Sequence, residues 1–353
     1  MKKNLKINVQ MALRSFVLSL FVVGAAGQLR AQQAANATGT DAQASAQGMV
    51  TEDDGSYVLR THVDEVVLNV TVVDHKLRLV KSLTKDDFKV FEDNVEQKIA
   101  AFKQEDVPVS LGILIDNSAS MRDKREAVNR AALDMVKASN PEDESFLVNF
   151  SDDAFLDQEF TSNIADLQKG LDHIDARGGT ALYDAVVAAA DHLTQAAKRN
   201  KQVLLIITDG EDNSSSTTLA QTVRRIQNLQ GPIVYSIGLL FGSDSSGEAR
   251  HARKALQQLS DETGGLAYFP KSLNQVDGIA AQVAEDIRNQ YTIAYHPTKP
   301  EKLGGYRTLR VVAEAPGLNK LSARTRAGYY PGGAKKLLQG GSSSQPTAAG
   351  DKQ

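Results

Sequence analysis

From about Val107 to Gln290, short apolar runs alternate with longer stretches in which apolar residues recur at helical spacing. That is the pattern of a parallel sheet covered by helices on both faces. Leu111–Ile115, Val203–Ile207 and Ile233–Ile237 are nearly continuous apolar runs, as expected of strands buried on both sides. Phe146–Phe150 reads as a further strand, with Ala154–Thr161 turning back beside it as an antiparallel edge. Helices are expected over Lys124–Ala138, Ile164–Ile174, Leu182–Lys198, Leu219–Leu229, Ala252–Thr263 and Val276–Asn289. The predicted fold class is α/β, with a doubly wound, mostly parallel sheet flanked by helices.

The flanks follow a period of two. Val66, Leu68, Val70 and Val72 alternate with Asn69 and Thr71, and Leu309 and Val311 stand either side of Arg310. These are half-buried strands of an antiparallel sheet, one group in Val63–Phe102 and the other in Tyr291–Tyr330. Neither group alone has enough strands for independent stability. They are therefore expected to pair in space as one small β domain into which the α/β domain is inserted. The alternative is two unrelated decorations. The expected boundaries are a β-strand flank over 57–106, the α/β domain over 107–290 and a second β-strand flank over 291–331.

The two ends differ from this body. Residues 1–31 carry Lys2, Lys3, Lys6, Arg14 and Arg30 without an acid, then an apolar run from Phe16 to Ala26 and the small-residue stretch ending at Ala31. These are the three parts of a secretory signal peptide. The apolar run is well short of the roughly 20 residues that cross a bilayer as a helix, so cleavage near Gly27 or Ala31 is expected rather than a membrane span. The mature chain is then exported, periplasmic or secreted in a bacterium. Residues 32–56 and 332–353, rich in Ala, Gln, Gly, Ser and Thr, are expected to be a disordered leader and tail.

Composition narrows the chemistry. The 353 residues contain no cysteine, which excludes thiolate metal sites and cysteine nucleophiles. Loss of the basic leader takes the net charge from −3 to −8, which argues against a nucleic-acid partner. The six histidines are scattered without ligand spacing. The signatures of phosphate loops, dinucleotide binding and serine hydrolases are missing.

One set of residues stands out. The first buried strand ends in Ile115-Asp116-Asn117-Ser118-Ala119-Ser120 and runs at once into a helix, while another ends in Ile207-Thr208-Asp209-Gly210. Between them lies Gly178-Gly179-Thr180, ahead of a third helix. All three fall at the carboxyl edge of the sheet, where ligand crevices form. Two carboxylates and three hydroxyls in that region suit a small hard cation such as magnesium and suit zinc or copper poorly. Taken singly, each motif is equally well a helix cap, a turn or a linker.

The ordered set Asp116-x-Ser118-x-Ser120, Gly-Gly-Thr180 and Thr208-Asp209-Gly210 resembles the metal-ion-dependent adhesion site of von Willebrand factor type A (VWA) domains, over roughly residues 107–290. The chain also resembles, more loosely, bacterial VWA-related proteins of the acidobacterial type, on the segment Val66–Phe91 and the ending Tyr329-Tyr330-Pro331. The resemblance implies hydroxyl ligands at Ser118, Ser120 and Thr180, and Asp116 and Asp209 binding directly or through water. It further implies a divalent cation, with Mg2+ favoured over Mn2+ and Ca2+, and a protein partner whose acidic side chain completes the coordination.

The expected function is a non-enzymatic binding module. The alternatives are a metal-dependent hydrolase, which lacks a recognisable general base, and a structural envelope component in which the metal only stabilises loops. Asp143, Glu144, Asp152 and Asp153 read as surface acids, and Asp212 to Ser216 as a solvated loop. Asp184 is left out of the ligand set, as either an orienting group or a helix-end charge.

Overall fold

The computed structural model describes residues 49–51, 57–59 and 65–332, apart from 77, 173–175, 243–245 and 319. The expected signal peptide, most of the leader and nearly all of the tail lie outside the described residues. At the end of the expected leader, β1 (Met49–Thr51) pairs antiparallel with β2 (Tyr57–Leu59). Val50, Tyr57 and Val58 are strand formers, a local preference that the polar composition around them masks. This hairpin belongs to a unit of its own, ending at Thr61.

The second unit begins with β3 (Val66–Val73), β4 (Phe88–Glu92), β5 (Val95–Gln97) and β6 (Ile99–Gln104). The α/β segment follows with β7 (Val109–Asp116), α1 (Arg125–Lys137), β8 (Glu144–Phe150), β9 (Ala154–Thr161), α2 (Ile164–Asp172) and α3 (Leu182–Ala196). It continues with β10 (Lys201–Thr208), α4 (Leu219–Leu229), β11 (Ile233–Gly238), α5 (Gly247–Thr263), β12 (Ala267–Tyr268) and α6 (Val276–Arg288). The chain leaves through β13 (Tyr291–Tyr295), β14 (Arg307–Ala313), β15 (Ser322–Arg324) and β16 (Gly328–Tyr329).

The central sheet has the order β12-β11-β10-β7-β8-β9. Every pairing in it is parallel except β8 with β9, the expected antiparallel edge. Side chains alternate across it: Leu111, Ile113 and Ile115 pack with α1, α2 and α6, and Leu114, Leu204 and Ile206 with α3, α4 and α5. Burial on both faces is why these strands read as continuous apolar runs. Gly112 is required between them, because a Cβ there would stand 2.4 Å from the Phe146 ring. Helix α5 starts at Gly247 rather than Ala252, its first turn capped by Ser246 Oγ, which accepts from Ala249 N at 3.0 Å. The short edge strand β12 carries too few residues for a periodic signal. Among the described residues no helix is long and apolar enough to cross a membrane.

The flanks pair as expected. One sheet has the order β15-β3-β13-β6 and the other β16-β14-β4-β5, so each draws strands from both ends of the chain. Leu68, Val70, Val90, Ile293 and Val311 fill the space between them. At one end of this core Glu92 is buried, its Oε1 accepting from Arg307 Nη1 at 3.0 Å and its Oε2 from the hydroxyls of Tyr295 at 2.6 Å and Tyr329 at 2.8 Å. Arg307 also donates to the carbonyls of Lys299 and Pro300. Arg307→Met should lower unfolding free energy by about 3–5 kcal/mol, because it strands a buried carboxylate. Urea denaturation measures this.

The two domains are locked through α6. Asp286 on α6 accepts from the Tyr235 hydroxyl of β11 at 3.0 Å and from Arg324 of β15 at 2.7 Å. Gln290 reaches Thr71 of β3 at 3.2 Å. Lys201 donates to the Ile287 carbonyl, one of the last of α6, which the helix itself leaves without a partner. Burial holds the Lys201 ammonium down to about 8, against its ordinary 10.5, although Asp286, Asp106 and Asp143 favour the charge. The unfolded chain therefore binds this proton more tightly, and stability rises as pH climbs from about 8 towards 10.5. Relative to Lys201→Met, the wild type should gain up to about 3 kcal/mol across that window, read from urea unfolding at both ends. A pH-independent difference would contradict it.

Candidate metal centre

β7 ends at Asp116, and the chain turns through Asn117 and Ser118 into a 3-10 turn, Ala119–Lys124, that leads into α1. The Asp116 side chain is wholly buried. Its Oδ1 accepts from the Ser118 amide at 2.7 Å and its Oδ2 from the Thr208 hydroxyl at 2.6 Å, tying the ends of β7 and β10 together. Burial pushes its pKa above the usual 3.8; the Thr208 and Ser118 bonds oppose the rise and the Asp209 charge adds to it. Beneath it, buried Arg125 donates to the Asp116 carbonyl at 3.1 Å and to Asn149 Oδ1 at 3.3 Å. Burial lowers this guanidinium to about 10, still charged at neutral pH.

The oxygen donors form a chain. Ser118 Oγ lies 3.1 Å from Ser120 Oγ, and Ser120 Oγ donates to Asp209 Oδ1 at 2.8 Å. The other Asp209 oxygen accepts from the Lys124 ammonium. The third motif closes over them: Arg177 N donates to the Asn117 carbonyl at 2.9 Å, and Ala119 N to the Gly178 carbonyl at 3.4 Å. Thr180 Oγ1 stands 3.7 Å from where a Cβ on Gly210 would lie, beside Asp209. All five expected residues, Asp116, Ser118, Ser120, Thr180 and Asp209, thus meet at one edge of the sheet. Gly178 has φ +78, a backbone conformation that favours glycine, and a Cβ on Gly179 would crowd the Ser214, Asn213 and Asp152 side chains that surround it.

Several polar residues read as surface acids or solvated loop instead hold these loops in place. Asp152 Oδ1 accepts from the Gly179 amide at 2.8 Å, Asn213 Oδ1 from the Thr180 amide at 2.8 Å, and Asp212 Oδ2 from the Tyr183 amide at 2.9 Å. At the opposite edge of the sheet, away from these loops, Asp143 accepts from Val109 N at 2.8 Å. Glu144 is buried and accepts from Ser110 Oγ at 2.6 Å and Lys198 N at 2.7 Å. The available signal was position: each lies at the end of an element with amides of a neighbouring loop to satisfy.

The separations of 3.1 Å and 2.8 Å along Ser118, Ser120 and Asp209 are those of hydrogen-bonded oxygens. Two carboxylates and neutral hydroxyls are hard oxygen donors, a set whose chemistry suits a small divalent cation. Among the described residues no three His, Asp or Glu side chains gather as a metal-binding group, so the fit rests on two carboxylates and the hydroxyls.

Residues 111–211 match the sequence pattern of the von Willebrand factor type A domain. Over these residues the chain carries a VWA domain. Its described parallel sheet with helices on both faces is the fold expected for one. No curated protein matches the chain. Among solved structures, BatB from Bacteroides thetaiotaomicron is 18% identical, with 51% of this chain and 98% of that chain covered and a TM-score of 0.42. A von Willebrand factor type A protein from Catenulispora acidiphila is 13% identical, covering 76% of this chain and 75% of its own, with a TM-score of 0.45. The vWF domain of the type V pili tip protein Mfa5 from Porphyromonas gingivalis is 13% identical, covering 52% and 97%, with a TM-score of 0.42.

In the VWA domain, Asp184 on the first turn of α3 accepts from the amides of Ser216 at 2.8 Å and Thr217 at 2.9 Å and from the Ser216 hydroxyl at 2.9 Å. Partial burial raises its pKa, but these bonds outweigh it and hold the carboxyl below 3.8. Its stabilising contribution is present above that value and is lost as pH falls through the lowered one. Asp184→Ala should cost about 1–3 kcal/mol at neutral pH. Hydrogen exchange should show loss of protection at the Ser216 and Thr217 amides while the central sheet stays protected.

Proposed function

We propose that the chain is an exported, non-enzymatic module that captures a protein ligand through a divalent cation, with Mg2+ favoured over Mn2+ and Ca2+. The observation that carries the reading is the hydrogen-bonded run of oxygens Ser118, Ser120 and Asp209 on the carboxyl edge of the sheet. Asp116 and Thr180 complete the donor set. Bound there, a divalent cation supplies a concentrated positive charge that an incoming carboxylate can neutralise.

The residues of the chain do the positioning. Asp116 is held by Ser118 N and Thr208, so it is fixed in orientation before any ligand arrives. Ser118, Ser120 and Thr180 present neutral oxygens, and a carboxylate that binds through water rather than directly leaves part of a divalent charge uncompensated and attractive to an anion. Arg125 under the loop adds to that attraction. These features favour recognition of an acidic side chain on a protein partner. The basic start and short apolar run of the first 31 residues support export.

The test is capture of envelope and secreted proteins on the immobilised chain in magnesium, followed by chelator elution. A partner should be retained by the wild type, released by chelator and lost by at least about tenfold with Asp209→Ala, whose unfolding curve stays cooperative. Turnover of a substrate dependent on the same residues would move the protein to the hydrolase reading, and loss of stability alone would leave a structural role.

A further inference from the structure

We propose that Lys124 is a tethered counter-cation of the candidate metal centre: its ammonium holds Asp209 when no metal is bound, and must leave that carboxylate for a divalent cation to bind there directly. This rests on the metal-centre reading and deepens it by naming the residue that sets the affinity.

Asp209 is fully buried at its side chain, and Lys124 is 21% exposed. One Asp209 oxygen is engaged by Ser120 Oγ and the other by Lys124. The same ammonium donates to the Ser120 carbonyl at 3.3 Å and lies 5.9 Å from the centre of the Phe241 ring. It therefore bridges the first and third site segments from the position where positive charge is wanted. The neighbouring cations are engaged elsewhere, Arg122 with the Ala176 carbonyl and Arg125 with the Asp116 carbonyl and Asn149.

A buried carboxylate with no counter-charge is strongly unfavourable, so a site evolved only to be filled by metal would be strained when empty. Lys124 removes that strain. Its ammonium is a compact charge on a flexible stem at the end of the 3-10 turn, with a route to solvent. A divalent charge at Asp209 and the ammonium repel one another over a few ångströms, so the two compete for one carboxylate.

The experiment titrates magnesium chloride by calorimetry into the mature chain as wild type, Lys124→Met and Lys124→Gln, and records thermal unfolding in chelator and in magnesium. Magnesium affinity should increase by about tenfold or more in both variants. In chelator both should melt below the wild type, and magnesium should raise their melting temperatures by more than it raises that of the wild type. Equal magnesium affinity across all three proteins would overturn the role of Lys124 while leaving the metal centre standing. No magnesium binding by any of them would overturn the metal centre and this inference together.

Discussion

A single buried carboxylate organises the functional edge of this protein. Asp116 lies at the end of a strand packed on both faces, where an ionised group is tolerated only with its oxygens satisfied. The Ser118 amide and the Thr208 hydroxyl satisfy them, which fixes the turn after β7 and joins it to β10. Once those two strand ends are locked, Ser120 is carried to Asp209 and the Gly178–Thr180 loop can seat on Asn117 and Ala119. The arrangement stores unfavourable burial, visible as the raised pKa of Asp116, at the place where ligand chemistry would use it.

The rest of the molecule holds that edge still. Polar groups on loops that face one another form a lattice of backbone bonds around Thr180, from Asp152, Asn213 and Asp212, with Asp184 securing the segment behind. At the far end of the sheet, Asp286 on α6 and Gln290 just beyond it reach the β domain, while Lys201 ties the end of α6 to the central sheet. The insertion is thus mechanical as well as topological. Strands from both chain ends must be present before either β sheet closes, and Glu92 with Arg307 joins the two flanks through their core.

Charge balance connects these parts. Buried charges here are matched locally: Glu92 by Arg307, Asp286 by Arg324, Asp209 by Lys124. The first pair joins β4 to β14 inside the β domain, and the second joins α6 to β15. The third lies at the carboxyl edge of the sheet and partly open to water, where a competing cation can arrive. The same physical device serves structure in two places and, on the proposed reading, gives way to a metal ion in the third.

The sequence by itself determined the elements and the donor types. Continuous apolar runs mark strands buried on both faces, alternation marks the flanks, and Asp116, Ser118, Ser120, Thr180 and Asp209 fall on strand ends that the sheet must bring to one edge. Only the tertiary structure decided which acids support the site. Asp152, Asn213 and Asp212 read as surface acids or solvated loop in a linear reading, because a carboxylate or amide shows no periodicity and its partner amides are tens of residues away. The pairing of Lys124 with Asp209 was hidden for the same reason. A lysine in the turn after a serine motif reads as solvent-facing until the fold places a buried carboxylate, 85 residues further along the chain, against its ammonium.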